Sequence, residues 1–254
     1  MLHNSTASII LAAGRGTRLN STHKNKVVLP FMGKPMIMYG VELLQKISSP
    51  VVVVVGAYGE SVKQALESFD VVYANQPEQL GTGHAVTVGI AALLSYSPEK
   101  VLVGYGDHMM FYSKKTIKQL LKKHEEEKAT VSLITTLYDR PDELAWGRII
   151  RDENRNIINV VEQKDAAEDQ RGIKELNAGF YCFNYEFLKD ASPRLAESPV
   201  TNEYYINDYI TIAAIEGRKV IGFQVPFNEV GIGINKPEEL ESSQNIFRKT
   251  HNNG

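Results

Sequence analysis

Gly14, Arg15, Gly16, Thr17 and Arg18 follow a short apolar run in the segment SIILAAGRGTR. The two glycines leave room for backbone N–H groups to approach an anion, and the two arginines add positive charge and paired donors, so the chemistry suited to this loop is phosphate binding. The run Ser8–Ala12 reads as a first strand, and open α/β sheets hold their ligands at the carboxyl ends of parallel strands. G-x-G after a strand is shared by several folds, and the more specific patterns discriminate among them. The dinucleotide fingerprint wants a third glycine where Leu19 stands and an acidic residue at the end of the second strand, where Gly56 stands. The Walker pattern G-x-x-x-x-G-K-S/T is absent, Lys26 lying ten residues beyond Gly16. Neither a dehydrogenase nor a P-loop enzyme is expected.

Asp107 closes the run VLVGYGD, where an aspartate can serve as a turn or helix cap or as a carboxylate facing a ligand. His84 has no second His, Cys or carboxylate at ligand spacing and is expected to pack at the start of a helix beginning near Gly83. The single cysteine, Cys182 in GFYCF, rules out an internal disulfide framework and reads as a buried strand residue rather than a nucleophile. No Ser-His-Asp or Cys-His arrangement is found. The 28 Lys and Arg balance 30 Asp and Glu to a net charge of -2, which gives no reason to expect a nucleic-acid or membrane partner. The N-terminal MLHNSTASIILAAG lacks a basic leader region, and no apolar run is long enough to span a bilayer, so a soluble, cytoplasmic protein is expected.

Short β-branched runs alternating with helical patterns must position these residues. Strands are predicted at Ser8–Ala12, Val51–Val55, Val71–Ala74, Val101–Tyr105 and Thr130–Thr136. Helices are predicted from Pro35, with Ile37, Val41, Leu44 and Ile47 on one face, and at Ser61–Ser68, Gly83–Leu94 and Ser113–Glu127. Beyond Tyr138 the stretches Gly147–Ile150 and Ile157–Val161 flank the turn RDENRN, a hairpin-like and more antiparallel texture. A strand at Leu176–Phe183, a helix at Asn207–Glu216, a strand at Val220–Val225 and a terminal helix from Lys236 follow. The run KKHEEEK at Lys122–Lys128 reads as the solvated end of a helix. The fold class expected is α/β: a Rossmann-like, mostly parallel sheet with helices on both faces and a smaller mixed or antiparallel portion. At 254 residues one such domain is expected, since two equal domains would be a squeeze.

LAAGRGTRL with Lys26 in NKVVLPFMGKP resembles the signature of the sugar-1-phosphate nucleotidylyltransferases. NQPEQLGTGHA, VGYGDHM, WGRII, VEQKDA, ELNAGFY and NEYYIND extend the resemblance over nearly the whole chain. In order and spacing they are similar to the uridylyltransferase domain of the bacterial bifunctional enzymes that make UDP-N-acetylglucosamine; QLGTGHA and EYYIND are the most specific.

The resemblance implies that UTP and N-acetylglucosamine 1-phosphate are joined with release of pyrophosphate, with Mg2+ as cofactor. It implies catalytic roles for Arg18 and Lys26, and nucleotide contacts from Leu11, Ala12, Ala13, Gly14, Gly16, Thr17, Gln76, Gln79, Gly81 and Thr82. Sugar contacts fall to Tyr105, Gly147, Glu162, Asn177 and Tyr205, and the metal to Asp107 and Asn235. A nucleotide-binding part at about 1–138, a sugar-binding part at about 139–235 and a C-terminal helix at 236–250 are expected. Taken alone, Gln76, Glu162 and Asn177 would more commonly be surface or turn residues.

The chain departs from the family pattern at three places. Asn25 replaces the usual proline before the lysine, which predicts a less rigid approach of Lys26. Met109 stands where a proline is usual after Asp107, with His108 between, and Ile232 replaces an acidic residue before Gly233. The same reaction with another triphosphate or another hexose or amino-sugar phosphate, and a non-catalytic sensor of sugar nucleotides, are the alternatives. Oligomeric state is not legible in the sequence.

Overall fold

A computed structural model describes residues 5–14, 23–234 and 237–251. The elements in chain order are β1 (Thr6–Ala12), β2 (Pro30–Phe31), β3 (Lys34–Pro35), α1 (Met36–Leu44), β4 (Val51–Val55), α2 (Gly59–Ala65), β5 (Val72–Asn75), α3 (Thr82–Ala91), β6 (Lys100–Tyr105) and α4 (Lys114–Glu126). They continue with β7 (Val131–Leu137), β8 (Arg148–Arg151), β9 (Ile157–Val161), α5 (Glu168–Arg171), β10 (Glu175–Asn184), α6 (Tyr185–Ala191), α7 (Asp208–Ile215), β11 (Val220–Gln224) and α8 (Pro237–His251).

The main sheet runs β11-β7-β10-β6-β1-β4-β5. All neighbours pair in parallel except β10, which lies antiparallel between β6 and β7. β1 and β4 are buried along their whole length, which is why they read as unbroken apolar runs rather than alternating ones. Successive strand residues point to opposite faces, and helices cover both. Ile9, Val52, Val54, Val103 and Tyr181 pack with residues of α3, α6 and α7, whereas Ile10, Val53, Leu102, Phe180 and Cys182 pack with α1, α2 and α4. α4 starts where the side chain of Ser113 accepts the backbone N–H of Thr116 at 3.0 Å, and its buried Ile117, Leu120 and His124 recur at helical spacing.

The expected mostly parallel sheet covered on both faces is thus present, with boundaries within a few residues of the predicted ones. The smaller antiparallel part is the β8–β9 hairpin, joined to the main sheet by the pairing of Leu176 with Arg148. The sequence reading missed α5, α6 and the two-residue strands β2 and β3. α6 directly continues β10, with only Asn184 at its N-cap to mark the change, and α5, β2 and β3 are shorter than any periodicity can register.

Arg148 is the largest fully buried side chain. It donates to the carbonyls of Pro141, Leu144 and Trp146 before β8 and of Arg171 at the end of α5. The loop before β8 is therefore wrapped around a guanidinium.

Candidate active site

Loops at the carboxyl ends of β1, β5 and β6 and the segments around β8, β9 and β10 enclose a cleft of ≈ 750 Å3. It is lined by Leu11, Ala12, Ala13, Gly14, Lys26, Gln76, Gln79, Gly81 and Thr82 on one side and by Tyr105, Asp107, Gly147, Glu162, Asn177 and Tyr205 on the other. Every candidate residue within the described part of the chain therefore meets in one cavity. Gly16, Thr17, Arg18 and Asn235 lie outside the described residues.

On the floor, the Lys26 ammonium is paired with the Asp107 carboxylate, each side chain largely shielded from solvent. Lys26 opens a single 3-10 turn, Lys26–Val28, capped by Asn25, whose side-chain oxygen accepts the N–H of Val27 at 3.1 Å. The Asn25 amide nitrogen reaches the carbonyls of Ala12 at 2.9 Å, Gly14 at 3.0 Å and Ala57 at 2.9 Å. Its backbone N–H donates to the Ser61 hydroxyl at 3.0 Å. Where the family pattern has a proline ring, this chain holds the residue before Lys26 by the hydrogen bonds of a fully buried amide.

Three segments converge around Gly81. Its φ of +101° and its packing, in which a Cβ would lie 2.5 Å from the carbonyl oxygen of Tyr204, admit only glycine. Tyr204 N–H donates to Leu80 O at 2.9 Å, Gly83 N–H to Tyr204 O at 2.7 Å, and Ile206 N–H to the Thr82 hydroxyl at 3.0 Å. QLGTG and EYYIN are therefore stitched together. Gln76 is buried and its Nε2 bonds to Gly81 O at 3.2 Å and to His84 Nδ1 at 3.0 Å. His84 sits in the first turn of α3, as expected, but with this further contact.

The opposite wall is a polar network. Asn207 donates to the Glu162 carboxylate at 2.6 Å, and its side-chain oxygen accepts from Asn177 Nδ2 at 3.1 Å and Tyr181 OH at 3.3 Å. Burial, only partly offset by Asn207, pushes the Glu162 carboxyl from its ordinary 4.5 up to about 7. Burial likewise keeps the phenol of Tyr105 protonated, with Tyr181 and Glu162 adding to the effect. Asn177 is set by an irregularity of β10 between Asn177 and Tyr181, where Gly179, at φ +72°, packs so close to Tyr105 that a Cβ would lie 2.7 Å from its ring. The Tyr205 hydroxyl is 2.6 Å from that of Thr201.

The sequence gives Asn207 and Arg148 no role of their own, and it marks Asn25 only as a departure from the family pattern, not for the contacts it makes. Asn207 lies inside NEYYIND, the one signal that could have drawn attention to it. Where the family pattern is broken after Asp107, Met109 is buried in the core, and the His108 ring lies 4.8 Å from that of Trp146, burial holding its imidazole below the usual range. Cys182 is buried in β10, and burial pushes its thiol up, so it supplies no nucleophile.

The carboxyl end of the sheet thus gathers a lysine, an aspartate, a glycine-containing turn and a distant wall of amides in one cleft. The family model described as nucleotidyl transferase matches residues 7–228, and the chain belongs to that family. The Bifunctional protein GlmU of Caldicellulosiruptor saccharolyticus is 42% identical over 234 residues, covering 91% of this chain and 50% of that protein. The Bifunctional protein GlmU of Exiguobacterium sp. is 39% identical over 246 residues, covering 96% of this chain and 53% of that protein. The chain thus spans about half the length of the curated relatives it matches. Among solved structures, a UDP-glucose pyrophosphorylase complexed with UDP-glucose superposes with a TM-score of 0.77 at 19% identity, covering 97% of this chain and 99% of that chain, a likeness of fold. Among the described residues no helix is long and apolar enough to cross a membrane.

Proposed function

We propose that the chain transfers a uridylyl group from UTP to N-acetylglucosamine 1-phosphate, giving UDP-N-acetylglucosamine and pyrophosphate. The observation that carries this reading is the Lys26–Asp107 pair on the floor of a cleft with the Gln76–Gly81 turn on one wall and the Glu162–Asn207–Asn177 network on the other. The similarity to the bifunctional GlmU proteins supports it.

The base of the nucleotide stands against Gln76 and Gly81, and its phosphates run toward Gly14 and Lys26. Glu162 and Asn177 hold the sugar by hydroxyl and amide contacts, with Tyr105, Gly147 and Tyr205 as its wall. A phosphate oxygen of the sugar phosphate attacks the α-phosphorus, and the bond to the β-phosphate oxygen breaks as pyrophosphate leaves. That attacking oxygen is already anionic near neutral pH, so no general base is needed. The task left to the protein is to bring two polyanions into line and neutralise their charge, and Lys26 and Arg18 do this with permanent or near-permanent cations.

Asp107 presents one hard oxygen ligand to the cleft, and among the described residues no group of three or more acidic, His or Cys side chains converges as a cage. That donor set suits Mg2+, which takes one or two protein oxygens and completes its shell with phosphate and water. Asp107 and Asn235 would hold it, and when bound it supplies charge neutralisation to the triphosphate.

Pyrophosphate release with UTP and N-acetylglucosamine 1-phosphate, measured against CTP, dTTP, ATP and GTP and against other hexose 1-phosphates, tests the reading. Turnover is expected with the named pair. Turnover confined to another pair replaces the substrates, and none with any pair sinks the catalytic reading.

A further inference from the structure

Behind the cleft floor lies an apolar cluster in which Phe31, Met36, Met110, Phe111 and Ile234 are buried and Leu240, Ile246 and Phe247 of α8 pack against them. The Phe247 ring meets Phe31 edge-on at 5.3 Å between centroids and Phe111 at 5.6 Å. Phe31 stands shortly after Lys26 in the chain and Phe111 shortly after Asp107. α8 therefore backs the two loops that bring the cation and the carboxylate to the floor.

Residues 231–234 run between α8 and the cleft. On the cleft side they press on the loop after Asp107: a Cβ on Gly231, at φ +63°, would lie 2.2 Å from the Phe111 ring, and one on Gly233 3.0 Å from the His108 ring. Ile234 donates its N–H to the carbonyl of Asp107 at 3.3 Å. On the helix side, the fully buried Ser243 donates its hydroxyl to the carbonyl of Ile232 at 2.9 Å. A hydroxyl inside a helix commonly returns its proton to a carbonyl of its own helix, as Thr250 does with Ile246 and Phe247. Ser243 instead reaches out of α8. With glycine at two of the four positions, the segment is held through its backbone as well as by the Ile234 side chain. Ser243 takes the Ile232 carbonyl, and Asp107 takes the Ile234 N–H.

We propose that Ser243 is a positioning residue for the metal side of the cleft: its bond to Ile232 holds residues 231–234 against Asp107 and so fixes the chain that runs directly into Asn235. This rests on the reading of Asp107 and Asn235 as the metal ligands. Asp107, His108 and Gly233 line the cleft, whereas Ser243 does not and acts through them.

The test is calorimetric UTP binding as Mg2+ is titrated, in the wild type and in Ser243→Ala, Ser243→Thr and Asn235→Ala, with EDTA as the metal-free arm. Ser243→Ala is expected to raise the Mg2+ concentration for half-maximal effect about fivefold, the factor that one neutral hydrogen bond carries, with UTP affinity in EDTA unchanged. Ser243→Thr keeps the hydroxyl and stays near the wild type; if its added methyl lowers the melting temperature, Ser243→Cys, a donor of similar size, takes its place. Trp146, the one tryptophan of the chain, has its ring 4.8 Å from that of His108, on which Gly233 packs. Its emission in the metal-free protein therefore reports the segment and is expected to change in Ser243→Ala. A loss of UTP affinity equal with and without Mg2+ makes Ser243 a general support and overturns the proposal. Wild-type Mg2+ dependence or unaltered Trp146 emission in Ser243→Ala, or a hydroxyl-retaining variant no better than Ser243→Ala, also overturns it, while a shifted Mg2+ dependence in Asn235→Ala leaves the reading of the metal side standing. Wild-type Mg2+ dependence in Asn235→Ala overturns that reading and the proposal with it.

Discussion

The ammonium of Lys26 is paired with the carboxylate of Asp107 in the cleft floor, so the two charges that a metal-bound triphosphate would claim are compensating each other. Under the proposed reaction, ligand binding exchanges this pair for Lys26 on phosphate and Asp107 on the metal, with no uncompensated charge at either stage.

Asp107→Ala is therefore expected to abolish magnesium-dependent turnover while the far-UV circular dichroism spectrum stays that of the wild type. Unchanged turnover would remove Asp107 from the mechanism. Lys26→Ala should lower kcat more than it weakens UTP binding, since the interaction is expected to strengthen as charge develops on the transferred phosphorus; equal losses would mean uniform binding.

Asn25→Asp changes one NH2 group to an oxygen and sets a carboxylate against the carbonyls of Ala12, Gly14 and Ala57. Three donor contacts become repulsions at a fully buried site, and a loss of roughly 3–5 kcal/mol of unfolding free energy is expected, in the range for an uncompensated buried charge. Urea titration measures it. A loss under 1 kcal/mol would show that the neighbouring loop simply opens.

Glu162 has a folded value of about 7 against an ordinary 4.5, so its proton is favoured by the folded state. The stabilisation linked to that proton is complete below pH 4.5 and is lost as the pH rises through 7. Glu162→Gln should accordingly be more stable than the wild type at pH 8, on the order of 1–3 kcal/mol, with the gain shrinking toward pH 5. Sugar-phosphate KM should rise at the same time, the usual trade at a site that keeps a costly group for function. Parallel thermal melts at the two pH values decide it, a pH-independent difference being the contrary result.

Asn207→Ala removes the amide that joins Glu162 to Asn177 without touching the nucleotide wall. The expected result is a tenfold or larger rise in KM for the sugar phosphate, corresponding to about 1.4 kcal/mol, with UTP affinity unchanged. Equal weakening of both substrates would assign Asn207 to general stability.

The elements nearest the site were legible because they are the most regular parts of the chain. Val51–Val55 is a run of five valines that only a strand buried on both faces uses well, and Ser113 with Ile117 and Leu120 announces both the start and the inner face of α4, whereas His124, expected in a solvated run, is buried and bonded to Ser132 and Asn184. The candidate residues were legible through their motifs, and the described ones do share a cleft. What escaped were polar side chains whose partners are far away along the chain. Asn207 meets Glu162 across 45 residues and Asn25 meets Ala57 across 32; Asn25 stands out in the sequence only as a missing proline, and nothing local announces the partners of either. The antiparallel insertion of β10 between β6 and β7 was illegible for the same reason, since strand order is a property of pairing, not of local propensity.

That inserted strand has a mechanical consequence. Along one edge β10 is laddered to β6 from Phe180↔Gly104 to Asn184↔Lys100, and along the other it is laddered to β7, with β8 attached at Leu176. Asn177, paired with Thr135 of β7, and the β6 carboxyl end that leads to Asp107, paired with Phe180, thus belong to one sheet, with the irregularity at Gly179 setting the step between them. For the proposed reaction this makes the sheet a gauge block: the interval between the sugar wall and the metal-side aspartate is set by strand spacing, and accommodation of a larger or smaller substrate falls to the loops that rim the cleft.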